Sequence, residues 1–321
     1  MKIIQGTAAT PDAFRRPKVT LGTFDGVHLG HQRVLRHVVT WARATGSDAV
    51  AITFDRKPRH VLAATPFEQI TSLQHRLRLF EEIGLDAAVL MDFTAEVAAL
   101  EPEEFAAEWL ARRLGADGVL LGHDTRFGRG GRGDLALLQR LGREHRFEAC
   151  SSEVVEVDGA PVSSTRIREA VRTGDLPAAE RMLGRRVSLL GTVVHGAGIG
   201  RGLGFPTANL DLHHEIRPPE GVYATLASVG GRVYESATNI GRPPALTPGA
   251  PRSRAETALV ETFIFDYSGD LYGQDIEVQF VARLRAEQVF TDTEALKAQI
   301  ALDVARARAL LAAATGKGAR E

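Results

Sequence analysis

The chain predicts two parts: an α/β domain on a parallel sheet, then a small antiparallel β-barrel with a helix at its C-terminal end. Three observations carry this. In the first half, short apolar β-rich runs alternate with helical patterns, the texture of a parallel sheet with helices on its faces. Near residue 185 the texture changes to closely spaced β-rich runs broken by Gly and Pro, which suits a small antiparallel barrel. The last stretch, 293–314, is a long Ala-rich helical pattern. A length of 321 residues fits two domains, and the division is expected at 1–184 and 185–321.

The elements follow in order. Val19-Thr20-Leu21 is an apolar β-favouring run, and the Gly-containing turn GTFDG leads from it into a helical pattern near His28. Ala49 to Thr53 reads as a buried strand, and Ser72 to Ile83 as a helix with Leu73, Leu77, Phe80 and Ile83 near helical spacing. Ala87 to Met91 is a further strand. Pro102 to Leu114 is a helix that Pro102 can open. Gly118 to Gly122 is another short strand. The default right-handed crossovers place a ligand at the carboxyl ends of these strands. In the second half VSLLGTVV, GVYATLASV, RVYESATNI, TALVETFIF and IEVQFVARL read as strands. The Pro-rich run 243–255 reads as an exposed loop. Asp292 or Thr293 can cap the last helix, whose Leu296, Ile300, Val304 and Leu310 are expected to pack on the barrel.

With 39 basic and 40 acidic residues, the charge gives no basic bias toward nucleic acid. One cysteine, Cys150, permits neither an internal disulfide nor a Cys-built metal site. No segment is apolar enough for a signal peptide or a bilayer span, so a soluble cytoplasmic protein with no membrane partner is expected.

Four stretches can carry chemistry. His28 and His31 stand one helical turn apart at a helix start that follows a strand and a Gly turn. Unpaired first-turn amides, the helix dipole and two imidazoles on one face suit the phosphates of a nucleotide. The pair lacks an H-E-x-x-H spacing and an obvious third ligand for zinc. SSTRIREAV (163–171) sets hydroxyls before Arg166 and Arg168, with Ser164 or Thr165 as a helix cap and Arg166 as a phosphate clamp. LGHDTRFGRGGRGD (121–134) is a polar, Gly-rich loop at the end of a parallel strand. HGAGIGRGLGFPTANL (195–210) lacks the lysine of a P-loop, but Thr207 and Asn209 offer oxygen ligands for Mg²⁺ shared with a nucleotide. Glu261, within TALVETFIF, is a candidate general base. Alternation sets it with Leu259 and Phe263, on a face read as inward. Each stretch also has an ordinary reading, as solvated surface, a capped helix or a plain loop.

In order and separation the motifs GTFDGVHLGHQ, ITFDRKP, LGHDTRFG, SSTRIREAVRTGDL, LLGTVVHGAGIGRGLGFPTANL, GVYA, NIGRPP, VETFIFDYSGDLYG and QIALDVARAR make a specific set. Over essentially its whole length the chain resembles the bacterial bifunctional riboflavin kinase/FMN adenylyltransferase (FAD synthetase) family. The resemblance implies a Rossmann-like nucleotidyltransferase domain, in which FMN attacks the α-phosphorus of ATP to give FAD and pyrophosphate. It implies a riboflavin kinase barrel, in which the ribityl 5′-hydroxyl attacks the γ-phosphorus of ATP. It sets His28, His31 and Glu261 in catalysis, and Gly22, Phe24, Gly30, Ser164, Thr165, Arg166, Gly200 and Gly202 at ATP. Asp124, Phe127 and Arg242 fall at the flavin, and Thr207 and Asn209 at Mg²⁺. Riboflavin, FMN, FAD and ATP are the implied partners, Mg²⁺ with ATP the implied cofactor, and a monomer or weak homo-oligomer the expected state. Departures from the family pattern are Thr23 for Asn, Arg56-Lys57 for Pro-His, Thr125 for an aromatic and Phe263 for His. A narrower reading is an FMN adenylyltransferase whose kinase half has drifted at the Pro-rich loop.

Overall fold

The computed structural model describes residues 1–54, 68–196, 198–241, 259–290 and 292–315. Arg56, Lys57, Arg242 and the loop 243–255 lie outside the described residues. The chain forms two compact units. One comprises Met1–Thr165 with Met182–Gly184, the other Arg166–Arg181 with Arg185–Glu321.

The first unit holds a six-stranded parallel sheet. Its strands are β1 (Lys2–Gln5), β2 (Lys18–Leu21), β3 (Ala49–Phe54), β4 (Ala87–Met91), β5 (Gly118–Leu121) and β6 (Glu148–Ser151), in the order β1-β4-β3-β2-β5-β6. β2 to β5 are covered on both faces, so they are buried almost throughout and mostly apolar, with Lys18, Thr20 and Thr53 as buried polar exceptions. β1 and β6 are edge strands with more exposed residues, which is why neither stands out from its neighbours as an apolar run. Helix α1 (Leu29–Thr45) packs Val34, Leu35, Val38 and Ala42 against one face, beside Leu79 and Phe80 of α2 (Leu73–Ile83). Phe105, Trp109, Leu110 and Leu138 cover the other face.

The helix expected over Pro102 to Leu114 begins as α3 (Pro102–Phe105) and widens into a π-helix over Ala106–Arg113. Leu114 N–H donates to Trp109 O at 3.2 Å, a five-residue step. The wider turn aligns pairs five apart, Phe105 with Leu110 and Trp109 with Leu114, and all four are buried.

The second unit is a closed antiparallel barrel of β9 (Ser188–Val194), β10 (Thr207–Asp211), β11 (Gly221–Val229), β12 (Arg232–Gly241), β13 (Leu259–Ile264) and β14 (Asp275–Arg285). The order is β10-β13-β12-β11-β14-β9. β7 (Glu156–Val157) and β8 (Ala160–Pro161), which belong to the first unit, form a separate small hairpin. Inside the barrel a chain of buried hydroxyls links Ser236, Thr225, Thr238 and Thr262 through contacts of 2.8, 2.9 and 3.0 Å. Such residues read as polar alternation in sequence, yet they satisfy one another in the interior.

The terminal helix (Thr293–Thr315) lies on the outer face, with Ala307, Leu311 and Val304 against Val222, Ala224, Leu226 and Phe265. Asp292 Oδ1 accepts from Ala295 N–H at 2.8 Å, so Asp292 is its cap. Of the four residues expected to pack, Val304 belongs to this cluster and Leu310 does not. Leu310 is 37 % exposed, because the buried stripe runs through residues 303, 307 and 311, one position away. Among the described residues no helix is long and apolar enough to cross a membrane.

Candidate active sites

In the first unit the strand order reverses around β2: β3 and β4 lie to one side, β5 and β6 to the other. A cleft of about 570 Å³ opens at the carboxyl ends of these strands, the location open α/β sheets use for ligands. Gly22, Phe24, His28, Gly30, His31, Asp124, Phe127 and Ser164 all line it.

The turn from β2 into α1 is tightly held. Phe24 (φ 47°), Gly26 (φ 84°) and Val27 (φ 40°) all have left-handed backbones, and for a β-branched valine this is a strained state. The surroundings over-determine it. Buried Asp25 accepts Ile70 N–H at 2.9 Å, Gly26 N–H donates to Thr71 Oγ1 at 2.9 Å, and Ser164 Oγ donates to Asp25 O at 2.9 Å. Fully buried Arg76 donates to Thr23 O at 2.6 Å and to Thr53 Oγ1 at 2.8 Å, tying the turn to β3.

His28 is the N-cap of α1, and its Nδ1 accepts His31 N–H at 3.3 Å. A neutral His28 with Nδ1 as acceptor carries its proton on Nε2. The two imidazoles stack, centroids 3.6 Å apart and planes 18° from parallel, while Phe24 meets His31 edge-on at 5.3 Å. Helix amides, the helix dipole and ring N–H donors thus meet at one end of the cleft.

The other end is apolar. Phe54 and Phe93 meet edge-on at 5.4 Å, and Phe105 lies 6.0 Å from Phe127, with Met91 and Val97 beside them. Sequence reasoning did not single out Phe54, Met91, Phe93 or Phe105. Phe54 and Phe93 come at or just after the ends of parallel strands, a position that marks the ligand side of such sheets. Asp124 stands 83 % exposed in the loop after β5, with His123 Nδ1 at 3.6 Å.

The SSTR motif is divided. Its helix begins at Ser164, so the cap position falls on Ser163 rather than on Ser164 or Thr165. Ser164 belongs to the cleft, Thr165 is the last residue of the first unit's main segment, and Arg166 opens the second unit.

In the second unit β10 emerges from the Gly-rich stretch, where no strand was expected. Its register brings the candidate residues together. Asn209 pairs directly with Glu261 on β13, and Glu261 pairs with Asn239 on β12. Directly opposed residues share a face, so Asn209, Glu261 and Asn239 form a row with Thr207 and Phe263 alongside. The expected inward direction of Glu261 is wrong. Val260, Thr262 and Ile264 are the buried positions of β13, and Glu261 and Phe263 lie on the outer face, which the terminal helix partly covers through Phe263 and Phe265. Burial raises the Glu261 carboxyl above the usual glutamate range, and the nearby Glu287 charge raises it further. Glu287 is a site carboxylate that sequence reasoning missed.

Gly196 and Gly200 back this row. A Cβ on Gly196 would meet the whole Asn209 amide, Nδ2 first and Oδ1 at 2.7 Å, and one on Gly200 would meet Phe205 O at 2.5 Å and Thr207 Oγ1 at 3.3 Å. Gly202 stands in open space. The two glycines leave a close cradle around a hydroxyl and an amide oxygen, a donor set that fits a hard divalent cation. Beside Thr207 a second cleft, about 390 Å³, is lined by Arg201, Thr262, Ile264, Tyr267, Asp270 and Tyr272. The His195 ring stacks on Tyr272 at 3.8 Å.

Known proteins match both units. A family model described as FAD synthetase matches residues 11–166, and one described as riboflavin kinase matches residues 183–311. The bifunctional riboflavin kinase/FMN adenylyltransferase of Escherichia coli K12 is 35 % identical over 96 % of this chain and 97 % of its own. That of Bacillus subtilis 168 is 32 % identical over 89 % of each. A crystal structure described as a macrolide-efflux protein from Streptococcus pneumoniae superposes with a TM-score of 0.80 at 28 % identity, covering 96 % of this chain and 99 % of that one. The chain belongs to the bifunctional riboflavin kinase/FMN adenylyltransferase family.

Proposed function

We propose that the protein phosphorylates riboflavin to FMN in the barrel and adenylylates FMN to FAD in the α/β unit, with residues 1–184 serving the second step and 185–321 the first. What carries this reading is the coexistence in one chain of two separate anion-handling sites: the stacked imidazole pair at the start of α1, and the Thr207, Asn209 and Glu261 row on the barrel.

In the barrel, Glu261 takes the proton of the ribityl 5′-hydroxyl as its oxygen attacks the γ-phosphorus of ATP, and ADP leaves. A carboxylate with a raised pKa is a stronger base than an exposed glutamate. Thr207 and Asn209 would hold Mg²⁺, which when bound neutralises phosphate charge. Arg201 lines the adjoining cleft as a cation for the same phosphates.

In the α/β unit the apolar end of the cleft, with Phe54, Phe93, Phe105 and Phe127, takes the flavin ring. An FMN phosphate oxygen then attacks the α-phosphorus of ATP, and pyrophosphate leaves. His28 through Nε2–H, His31 and the first amides of α1 donate to the departing phosphates, where charge builds. The strained Phe24 to Val27 turn keeps these donors in place before substrate arrives. With its single cysteine, the protein suits the reducing cytoplasm.

Chromatography of flavins after mixing the protein with riboflavin, ATP and Mg²⁺ tests the reading: FMN appears first, then FAD. His28→Ala halts at FMN, and Glu261→Ala leaves riboflavin unused but still converts added FMN. Absence of both products from the parent protein, or conversion of riboflavin by Glu261→Ala at the parental rate, refutes it.

A further inference from the structure

The stretch QIALDVARAR, residues 299–308, has no part in either reaction as derived above. It lies in the terminal helix, and its Val304 and Ala307 pack on the barrel. Three of its polar residues do something else. Gln299, Asp303 and Arg306 stand at i, i+4 and i+7, and all three serve the end of β14. Asp303 is 6 % exposed, and it takes Arg285 in a fork: Nε lies 3.1 Å from Oδ1 and 2.9 Å from Oδ2, and Nη2 lies 2.8 Å from Oδ2. Gln299 Nε2 donates to Asp303 Oδ1 at 2.9 Å. Arg306 Nη1 donates to Leu284 O at 3.0 Å. A buried carboxylate is an expensive way to dock a helix that needs only an apolar stripe. Its two carboxylate oxygens are instead spent on fixing one guanidinium.

That guanidinium reaches both ends of segment 286–290. Nη1 donates to Ala286 O at 3.0 Å, and Cζ lies 5.8 Å from the Phe290 ring centroid. Glu287 is inside the segment. A Cβ on Gly241 would fall on Glu287 Oε1 and lie 3.1 Å from Asn239 Nδ2, so the carboxylate sits over the backbone of Gly241, at the Asn239 end of the reacting row. Glu261, the neighbour of Asn239, feels its charge.

We infer that Asp303 is a positioning residue for riboflavin phosphorylation: oriented by Gln299 and acting through Arg285, it holds segment 286–290 so that Glu287 stays beside Glu261 and Asn239. The inference rests on the reading of the barrel as a riboflavin kinase. It makes the terminal helix part of the kinase machinery rather than a buttress alone. A small misplacement of a group that frames a substrate hydroxyl costs rate and substrate affinity without loss of fold.

The test uses the full chain. Asp303→Asn keeps shape and removes the charge that orients Arg285; Asp303→Ala removes the group. Riboflavin phosphorylation is followed at varied riboflavin and at varied ATP, with FMN adenylylation in the same samples as the internal standard. kcat/KM for riboflavin is expected to fall by about 10- to 100-fold in both variants. Most of this appears as a higher KM for riboflavin, with KM for ATP changed less than about twofold and FAD formation from FMN unchanged. Arg308→Ala removes an exposed ion pair of the same helix with Asp266 and is expected to leave both rates at the parental level. Glu287→Gln is expected to cost less in the Asp303→Asn background than in the parent, because its carboxylate is already misplaced there. A parental KM for riboflavin in Asp303→Asn overturns the inference, as does an equal rise of both KM values, which would mark general loosening. A parent protein that makes no FMN but makes FAD from FMN refutes the kinase reading itself, and this inference with it.

Discussion

Gly196→Ala is the sharpest test of the kinase site, because its effect follows from one contact. Gly196 does not have a left-handed backbone, so alanine brings no conformational strain of its own. The new Cβ would overlap Asn209 Nδ2 most closely and lie 2.5 Å from its Cγ and 2.7 Å from its Oδ1, where ordinary contact starts at 3.4 Å. The amide must retreat by about 1 Å, and Asn209 is buried between β9 and β13 with little room to do so. Oxygen donors for a small divalent cation tolerate only tenths of an ångström, so a shift of this size takes Oδ1 out of reach. Riboflavin phosphorylation is expected to fall on the order of 100-fold. The stability cost is about 1–3 kcal/mol, typical of one extra methyl in a packed place. FAD formation from supplied FMN, measured on the same preparation, stays at the parental rate. Raising Mg²⁺ restores part of the loss, because the metal site is weakened rather than removed. Parental phosphorylation in a folded Gly196→Ala protein would sink the assignment of Asn209 to the metal. An equal loss of both activities would sink the idea that the contact is local.

Glu261 must be ionised to act as a base, and its raised pKa moves the acid limb of kinase activity above that of an exposed glutamate. Glu287→Gln removes one of the two causes, so that limb, read from kcat/KM against pH, shifts toward lower pH; no shift or an upward shift refutes the coupling. Asp117 is held below its usual range chiefly by the hydrogen bond from Lys18 at 2.5 Å, helped by Arg16 and opposed by burial. A depressed carboxyl stabilises the fold above its unfolded pKa and ceases to do so as pH falls through the folded value. Asp117→Asn therefore costs about 2 kcal/mol at neutral pH and flattens the loss of stability below about pH 4, as denaturant titration at both pH values will show. Thr225→Val removes the hydroxyl that joins Ser236 to Thr238 inside the barrel, and is expected to cost about 1–3 kcal/mol despite its equal size; a neutral result in thermal unfolding refutes the hydroxyl chain as a source of stability.

Much of this was legible along the chain. Local composition marks the strands buried on both faces, the helix start at His28 and the change of texture near 185, because each depends on residues close in sequence. Three features were not legible in that way. β1 and β6 are edge strands without a clear apolar run. β10 sits inside a Gly-rich stretch whose composition argues for a loop, and only its pairing with β9 and β13 makes it a strand. Alternation alone could not say which face of β13 is inside. Each face of β13 mixes apolar and polar residues, Val260, Thr262 and Ile264 against Leu259, Glu261 and Phe263, and Thr262 turns inward because its hydroxyl is satisfied by Thr238, which leaves Glu261 on the outer face.

The residue types needed for two phosphate chemistries, and their order, belong to the sequence by itself. The meeting of those residues belongs to the fold. Asn209, Asn239 and Glu261 are far apart in the chain and become neighbours only through the register of three strands. Glu287, Arg285 and Asp303 enter the same site because a helix packs across the barrel. Register and packing arise from the closure of a sheet around a shared core, a long-range condition that no local window of residues contains.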